Sequence, residues 1–250
     1  MTKIRIIPTL LSDGSTLVKG ELFNSWRSVG SSQAAARLFS NRDVDELLLL
    51  DVVATRENRS ISLNTIEEFA EILAIPFSVG GGIANIEDAR NCLKAGAEKV
   101  VIGTAAFRNP SLITKLADEF GSQAVVVAID IAEGAGNQIA ICSGTEIKEV
   151  RFPEVLIEFQ KIGVGEILLQ SIAHDGKMGG MNLDAIKKVC DLTILPVIAS
   201  SGAGVQEDFL NAIKCGAAAV AAGAVFQFTE LTPRIVRDYL KQNGVPVRRA

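Results

Sequence analysis

The amino-acid sequence predicts a closed (β/α)8 (TIM) barrel, an α/β fold made of two repeated half-barrels within a single domain over residues 1–250. Two observations support this prediction. Short apolar segments alternate with amphipathic segments along the chain, and the second half of the chain repeats motifs of the first half. Strands of a parallel sheet covered by helices have near-continuous apolar sequences, and amphipathic segments are typical of the covering helices.

Eight apolar runs are candidate strands because they are short and rich in branched aliphatic residues. In chain order they are IRIIPTL, ELLLLDVV, PFSVG, KVVIG, AVVVAID, EILLQSI, PVIAS and AAVAAG. The segments between them begin at residues that favour helix starts, such as Asn85 before IEDARNCLKAG and Asn109-Pro110 before SLITKLADEF. This alternation predicts a parallel sheet with helices packed against it.

The internal repeat has a constant spacing of 120 residues. The repeated positions of the first half, each found again 120 residues later, are Pro76, Gly82, Glu87, Asp88, Asn91, Lys94, Gly96, Ala97, Val100 and Gly103. The same spacing relates VDELLL at 44–49 to VGEILL at 164–169 through four shared residues. Two equivalent halves predict half-barrels at about residues 1–120 and 121–250. An open doubly wound sheet is the alternative, but it does not predict two equivalent halves.

Composition and charge narrow the class of function. The 250-residue chain is 48% hydrophobic and has a formal net charge of −4, from 25 basic and 29 acidic residues. The basic residues are scattered, so nucleic acid is not an expected partner. No apolar run approaches the roughly 18 residues of a membrane span, and the four cysteines form no CxxC pair. These features predict a cytoplasmic protein with reduced thiols that does not enter a membrane.

The segment 132–152, AEGAGNQIAICSGTEIKEVRF, is too long for a plain strand-to-helix loop. Its two pieces of alternating polarity flank Ser143-Gly144, a dipeptide that is typical of a turn. We therefore expect a hairpin beside the fifth strand of the barrel.

Glycine-rich sequences follow four of the candidate strands, at the end of the barrel where such folds carry their chemistry. They form two matching pairs: VGGGI at 79–83 with SSGAG at 200–204, and IGTAA at 102–106 with AGAVF at 222–226. Glycine lets a backbone N–H approach an anion closely, although tight turns alone would also explain each pair. The duplication favours two anion sites across the barrel mouth, which suits a substrate with a phosphate at each end.

Carboxylates follow three of the apolar strands, at Asp51, Asp130 and Asp175. A carboxylate is costly to hold there without a partner, so each is a candidate acid, base or hydroxyl ligand; a turn cap is the alternative. His174, the only histidine, lies in a loop, which is more typical of a surface residue or substrate contact than of a catalyst. No spacing of histidines and carboxylates indicates a metal site, and no cofactor is expected.

Four charged residues directly precede apolar strand cores and therefore belong to the opposite end, the barrel floor. They are Arg5, Glu46, Lys99 and Glu166. Two positive and two negative side chains at this position predict a ring of salt bridges that closes the floor, because features on that face of the fold normally serve stability.

Motifs along nearly the whole chain resemble the cyclase subunit of imidazole glycerol phosphate synthase, from histidine biosynthesis, and more broadly its isomerase sibling. In order they are IIPTL, VDELLLLDVVAT, IPFSVGGGI, EDARNCLKAGAEKV, NPSLIT, FGSQAVVVAID, GVGEILLQSI, LPVIAS with the following GAG, and VFQF. The resemblance implies a (β/α)8 barrel, a bis-phosphorylated ribulosyl substrate and a glutaminase partner docked on the floor. Ammonia from that partner would pass through the barrel.

The resemblance also assigns roles to individual residues. Arg5, Glu46, Lys99 and Glu166 match the family's charged gate at the ammonia entrance, and Asp130 matches one of its two catalytic aspartates. The positions that match its substrate-side and phosphate-binding regions are Lys19, Asp51, Gly81, Gly82, Thr104, Asp175, Gly176, Gly202, Gly223 and Ala224.

Three positions depart from the family pattern. Leu11 stands where the family has its other catalytic aspartate, in a motif of the form CLDVKDG, and Asp13 matches that motif's second, loop aspartate. Gly103 replaces the family's usual asparagine, and Ser201 replaces a glycine of the seventh-strand phosphate motif. The four charged floor residues therefore match the family, whereas only one of its two catalytic aspartates is matched at the mouth.

Three hypotheses remain for the function. The first is an ammonia-dependent cyclase and lyase of histidine biosynthesis that works through Asp130. The second is a diverged paralogue that takes ammonia from a glutaminase for another acceptor. A subgroup that this chain resembles, with leucines at the end of strand one, is associated with amidination of surface-glycan sugars. The third is a non-catalytic ammonia conduit or glutaminase activator. Leu11, supported by Gly103, favours the second hypothesis.

Overall fold

The structure, a computed structural model, describes residues 3–40, 42, 44–132 and 138–248. Within these ranges the strands are β1 (Arg5–Ser12), β2 (Leu17–Glu21), β3 (Asn24–Gly30), β4 (Leu47–Asp51), β5 (Phe77–Gly80), β6 (Lys99–Ile102), β7 (Val125–Ile131), β8 (Gln138–Ile141), β9 (Glu146–Glu149), β10 (Glu166–Ser171), β11 (Val197–Ala199) and β12 (Ala219–Ala222). The helices are α1 (Ser32–Ser40), α2 (Leu63–Ile72), α3 (Ile86–Lys94), α4 (Thr104–Arg108), α5 (Ser111–Phe120), α6 (Phe152–Lys161), α7 (Leu183–Leu192), α8 (Gln206–Lys214), α9 (Ala224–Phe228) and α10 (Pro233–Gln242).

The parallel strands close into a barrel in the order β1, β4, β5, β6, β7, β10, β11, β12, with β12 pairing back onto β1. These are the eight strands that the apolar runs predict, and the predicted (β/α)8 fold is confirmed. The helices follow the strands in chain order, as expected for parallel neighbours joined by crossovers. No helix within the described ranges is long and apolar enough to cross a membrane.

Equivalent elements of the two halves start and end 120 residues apart. The spacing holds for α2 with α7, for α3 with α8, for β6 with β12 and for α4 with α9. It is the spacing of the sequence repeat, because the repeated residues occupy the same positions in equivalent elements. The half-barrel boundary near residue 120 stays a prediction.

The core has two apolar layers because successive strand residues point to opposite faces of the sheet. On β1, Ile6 belongs to the outer layer between strands and helices, and its neighbour Ile7 belongs to the inner layer that fills the barrel. The outer layer contains most of the large buried aromatic side chains. The inner layer is aliphatic and consists of Ile7, Leu48, Val101, Val126, Ala128, Leu168, Ile198, Ala219 and Ala221.

Two antiparallel hairpins extend the barrel at its mouth. The pair β8–β9 continues from β7, with Asp130 opposite Ala140, and its turn contains Ser143 and Gly144 in left-handed conformations. This confirms the hairpin expected in segment 132–152, of which residues 133–137 lie outside the described residues. The pair β2–β3 continues from β1, with Leu11 opposite Val18, and was not expected from the sequence.

Candidate active site

A cavity of about 680 Å³ opens at the carboxyl ends of the barrel strands, beneath the β2–β3 hairpin. Every residue for which the sequence predicts a catalytic, substrate-binding or phosphate-binding role lines it. These residues are Lys19, Asp51, Gly81, Gly82, Thr104, Asp130, Asp175, Gly176, Gly202, Gly223 and Ala224. The fold therefore brings the predicted mouth residues together, although they come from all parts of the chain.

Asp130 points into the barrel from the end of β7, next to Gln170 at the end of β10. Its Oδ1 atom is buried and has no hydrogen-bond partner among the described residues. Burial, and then the negative charge of Asp175, raises the pKa of Asp130 from 3.8 to about 7. A carboxyl group with such a pKa can both accept and release a proton at neutral pH, which is what general acid–base chemistry requires.

Lys19 lies on β2 with its side chain buried in the cavity, where its Nζ donates a hydrogen bond to the carbonyl oxygen of Thr9 at 3.3 Å. Burial lowers the pKa of Lys19 from 10.5 to about 8, although the charge of Asp175 acts in the opposite direction. A side chain at Gly223 would overlap the Nζ atom, so glycine at this position makes room for the ammonium group.

Asp175 connects the tip of the β2–β3 hairpin to the loop that follows β10. Its carbonyl oxygen accepts a hydrogen bond from Leu22 N at 3.1 Å, and its Oδ2 accepts one from Phe23 N at 3.5 Å. Burial raises the pKa of Asp175, although the ammonium of Lys19 opposes this. At Gly176, a side chain would overlap the carbonyl oxygen of Gly20. The hairpin thus crosses the mouth from β1 to the far side of the ring.

Asp51 lines the cavity but has both carboxylate oxygens engaged by its own loop. Its Oδ2 forms an ion pair with Arg59 Nη1 at 2.6 Å, and its Oδ1 accepts hydrogen bonds from the N–H groups of Val53 and Ala54. Arg59 also donates to the carbonyl oxygen of Asp13 at 3.1 Å. Sequence reasoning missed Arg59 because an arginine in a polar loop, eight residues after Asp51, gives no sign of its partner.

The glycine-rich strand ends occupy opposite sides of the ring, at β5–β6 and at β11–β12. Gly82 and Gly202 have left-handed φ angles of 64° and 94°, and a side chain at either position would overlap a backbone carbonyl oxygen. The turns alone therefore require these glycines. Thr104 begins α4, and its hydroxyl accepts a hydrogen bond from Cys142 N at 2.8 Å, which attaches the β8–β9 hairpin.

Leu11 lines the cavity, 8% exposed, so the end of β1 contributes no carboxylate there. Asp13 is not among the cavity-lining residues, and its Oδ1 caps the loop by accepting hydrogen bonds from the N–H groups of Ser15 and Thr16. Its pKa is lowered, since these hydrogen bonds outweigh the opposing effect of its slight burial. Asp13 therefore does not supply the carboxylate that Leu11 lacks.

The other two departures from the family pattern also lie at the cavity. A side chain at Gly103 would meet no described atom closer than Ala128 Cβ at 3.9 Å, so this position has free space. Ser201 is buried with a left-handed φ of 75°, and its Oγ has no hydrogen-bond partner among the described residues.

Several cavity residues were not identified from the sequence. Thr9 and Trp26 each bring a buried polar atom to the cavity, Oγ1 and Nε1, that lacks a hydrogen-bond partner within the described part of the chain. The sequence contained features that could have identified these residues: Thr9 and Gln170 are polar residues within apolar strands, and Trp26 is the only tryptophan. His174 is not among the cavity-lining residues; its Nδ1 lies 2.9 Å from Ser171 Oγ.

The four floor residues form a closed ring of ion pairs. Arg5 contacts Glu46 at 2.6 Å and Glu166 at 2.7 Å, while Lys99 Nζ lies 3.1 Å from Glu46 and 3.2 Å from Glu166. Ser78 donates a further hydrogen bond to Glu46 at 2.7 Å. The predicted charge ring at the floor is thus present, and each acid contacts both bases.

Two members of the ring, Glu46 and Arg5, have pKa values shifted by their partners despite partial burial. Burial acts to raise the pKa of Glu46, but the charges of Lys99 and Arg5 and the Ser78 hydrogen bond lower it below its usual value. Burial likewise acts to lower the pKa of Arg5, and the charges of Glu166 and Glu46 reverse that effect and raise it. Pairing within the ring therefore favours the charged forms of Glu46 and Arg5 against the effect of burial.

Directly above the ring lies a small void of about 10 Å³, lined by Glu46, Ser78 and aliphatic side chains of the inner layer. This is close to the volume that one water-sized molecule needs. Along its axis the barrel therefore has a paired charge ring, an aliphatic interior, and a cavity with a carboxyl oxygen, Asp130 Oδ1, that no described residue pairs. No cluster of three or more potential metal ligands occurs among the described side chains.

Comparison with known proteins gives consistent relatives. The family model for histidine biosynthesis protein matches residues 5–232. Imidazole glycerol phosphate synthase subunit HisF of Dictyoglomus thermophilum is 42% identical over 246 residues, 98% of each chain. The same-named subunit of Thermotoga sp. (strain RQ2) is 43% identical, covering 98% of this chain and 97% of the relative, and that of Pyrococcus furiosus is 38% identical over 98% of both. The chain described here belongs to the histidine biosynthesis protein family.

Proposed function

We propose that this protein is an ammonia-using cyclase subunit of the imidazole glycerol phosphate synthase type. The observation that carries the proposal is the axial arrangement: a paired charge ring at the floor, an aliphatic interior, and a cavity where Asp130 Oδ1 has no hydrogen-bond partner among the described residues. The names of the relatives support the same function. The protein acts as a cytoplasmic enzyme, and its expected products are those of the histidine-pathway ring closure.

A glutaminase docked on the floor supplies the ammonia in this proposal. Neutral ammonia can cross an aliphatic interior, whereas an ammonium ion would lose its hydration without a counter-charge. The ring of Arg5, Glu46, Lys99 and Glu166 then works as a gate, since its internal ion pairs must separate for a molecule to pass. The void above Glu46 and Ser78 provides a first resting position inside.

At the mouth, the substrate is a bis-phosphorylated ribulosyl compound whose two phosphates bind on opposite sides of the ring. One phosphate binds near Gly81, Gly82 and Thr104, and the other binds near Gly176, Gly202, Gly223 and Ala224. Lys19, beside Gly223, adds a positive charge at the second site. Asp130 then moves protons during ring closure, because its pKa near 7 suits both directions of transfer.

A diverged synthase with another ammonia acceptor is the second candidate, and Leu11 is the observation that favours it. Two carboxylates with separate roles are useful for a reaction that removes and delivers protons, and the end of β1 offers an aliphatic side chain instead. Amidination of a surface-glycan sugar is the form of this candidate that the sequence suggested. The relatives reported above are named for the synthase, so the cyclase ranks first. A non-catalytic conduit ranks last, because it gives no reason for a buried Asp130 Oδ1 that lacks a partner within the described ranges.

A direct assay separates the first two candidates. Purified protein is given an ammonium salt and the histidine-pathway bis-phosphate substrate, and imidazole product is measured. The cyclase proposal predicts turnover, and Leu11→Asp should raise it while the uncharged Leu11→Asn should not. Absence of imidazole product from the wild-type protein and from Leu11→Asp would sink the cyclase proposal and leave the diverged synthase.

The gate is tested with the reconstituted glutaminase complex. Lys99→Ala breaks the ring at one base, so ammonia should escape and more glutamine should be hydrolysed per product formed. Lys187→Ala, which removes an exposed lysine of α7, is the matched control. If Lys99→Ala keeps glutamine use and product formation as tightly coupled as the control does, the gate assignment is wrong.

A further inference from the structure

The cavity has two axes that cross, as the strand order shows. The glycine-rich ends at β5–β6 and β11–β12 face each other, and so do β1 and β7, since each pair lies four places apart in the ring of eight described strands. The buried polar atoms Thr9 Oγ1 and Asp130 Oδ1 lie on the second axis, on β1 and β7. They therefore flank the middle of a ligand that spans the first axis.

Thr9 is a polar residue at an interior strand position that otherwise carries apolar side chains. It is 5% exposed, lines the cavity, and its hydroxyl has no hydrogen-bond partner among the described residues. A buried hydroxyl without a partner costs free energy, and such groups in native structures call for a specific explanation. Its own carbonyl oxygen already accepts the bond from Lys19, so the hydroxyl is the atom of Thr9 that remains for a ligand.

Trp26 lies on β3 and faces the cavity from the hairpin above. Its Nε1 is buried and unpartnered within the described ranges. The indole packs against Gly20 of the paired strand, where any side chain would come within 2.7 Å of Trp26 Cε3. The glycine therefore leaves room for the carbonyl oxygen of Asn24, which is closer still, and for the indole ring.

We infer that the Thr9 hydroxyl and the Trp26 indole N–H form a polar subsite for the central, hydroxyl- or carbonyl-bearing part of a phosphorylated ligand. The indole is a donor without an acceptor lone pair, and the threonine hydroxyl can donate or accept, so an oxygen-rich segment satisfies both. Asp130 faces this segment from the other side of the barrel. The subsite thus determines which phosphorylated compounds bind productively, and it rests on the proposed function in that the cavity binds a phosphorylated substrate.

Calorimetric titration with two simple probes tests the inference on the intact protein. Ribose 5-phosphate carries the hydroxyl-bearing segment, and inorganic phosphate lacks it. The wild-type protein should bind ribose 5-phosphate more tightly, and Thr9→Val and Trp26→Phe should each reduce the ratio of the two affinities by about three- to tenfold, the worth of one hydrogen bond. Thr193→Val, at the start of the floor loop before β11, removes a hydroxyl outside the cavity and is the control.

Because the ratio is the readout, a variant that merely weakens the whole cavity lowers both affinities and leaves the ratio unchanged. The single tryptophan adds a second measurement: ribose 5-phosphate should change its emission saturably, and inorganic phosphate should not. Equal binding of both probes by the wild-type protein, binding of neither, or an unchanged ratio in both variants overturns the inference. If the variants change the affinity ratio but the bis-phosphate substrate is not turned over, the subsite stands and the cyclase proposal is refuted. If the substrate is turned over but the variants leave the ratio unchanged, the cyclase proposal stands and the subsite is refuted.

Discussion

The floor and the mouth of the barrel both contain charged side chains, and the two ends differ in how those charges are satisfied. At the floor each acid of the ring contacts both bases. At the mouth one oxygen of Asp130 has no partner in the part of the chain that the structure describes, and the pKa values of Asp130 and Lys19 both move toward neutrality. Pairing with an opposite charge favours the ionised form of a group, whereas burial without pairing shifts its pKa toward neutral pH, where it can gain or lose a proton. The comparison therefore fits the proposed division of roles, with stability and the proposed gate at one end and the proposed proton chemistry at the other.

The largest expected effect is on turnover, from Asp130→Asn at the mouth. The amide has the same shape but cannot exchange a proton, so ammonia-dependent turnover should fall about 10²- to 10⁴-fold. The melting temperature at pH 8 should not fall, because the substitution removes a buried charge for which the described residues provide no ion-pair partner. Steady-state rates and thermal melts measure the two quantities. Unchanged turnover would remove Asp130 from the mechanism.

The next effect is on stability, from Arg5→Ala at the floor. The substitution leaves Glu46 and Glu166 with one base between them, and breaking a partly buried ion pair in this way should lower the free energy of unfolding by about 3 to 5 kcal/mol. Urea denaturation followed by circular dichroism gives the value. A loss as small as that of an exposed ion pair would show that the ring contributes little to the fold.

A pH profile sharpens the comparison further. Turnover needs ionised Asp130 and charged Lys19, so after correction for free ammonia it should rise through about pH 7 and decline above about pH 8. Because the folded pKa of Asp130 is raised, the carboxyl contributes stability below its ordinary pKa of 3.8, and this contribution is lost as the pH rises through about 7. Wild-type stability relative to Asp130→Asn should therefore decrease over that interval. A difference that is flat between pH 4 and 8 contradicts the raised pKa.

The smallest effect is expected from an exposed ion pair that belongs to neither end. Lys187→Ala removes the contact with Asp191 at 2.9 Å on α7, where both side chains are about 60% exposed. Solvent and salt screen such a pair, so the urea midpoint should not change measurably. A clear shift would show that exposure is not what separates the floor ring from other ion pairs of this protein.

Sequence periodicity was sufficient for the barrel, because each parallel strand is apolar on both faces and each helix on one. The charge ring was also predictable, since a charged residue just before an apolar strand can only lie at the floor. Asp51 was different: its position was predicted, but its engagement by Arg59 depends on a loop conformation that no pattern in the sequence reveals. The β2–β3 hairpin was missed for a similar reason. Its turn uses Leu22 and Phe23 in left-handed conformations, where glycine or asparagine would have been the signal.

The two glycines that face backbone carbonyl oxygens across the mouth also bear on how this barrel can evolve. No side chain fits at Gly82 or Gly202 without moving the main chain, so a single substitution there damages the scaffold as well as the site. Leu11 and Gly103 are different. The side chain at position 11 lines the cavity and can be replaced there, and position 103 has open space for a side chain. Selection for a new acceptor can therefore act on the positions between the turns while the turns themselves stay constant. Substitutions at a few cavity positions, far apart in the sequence, can in this way change the chemistry while the barrel is kept.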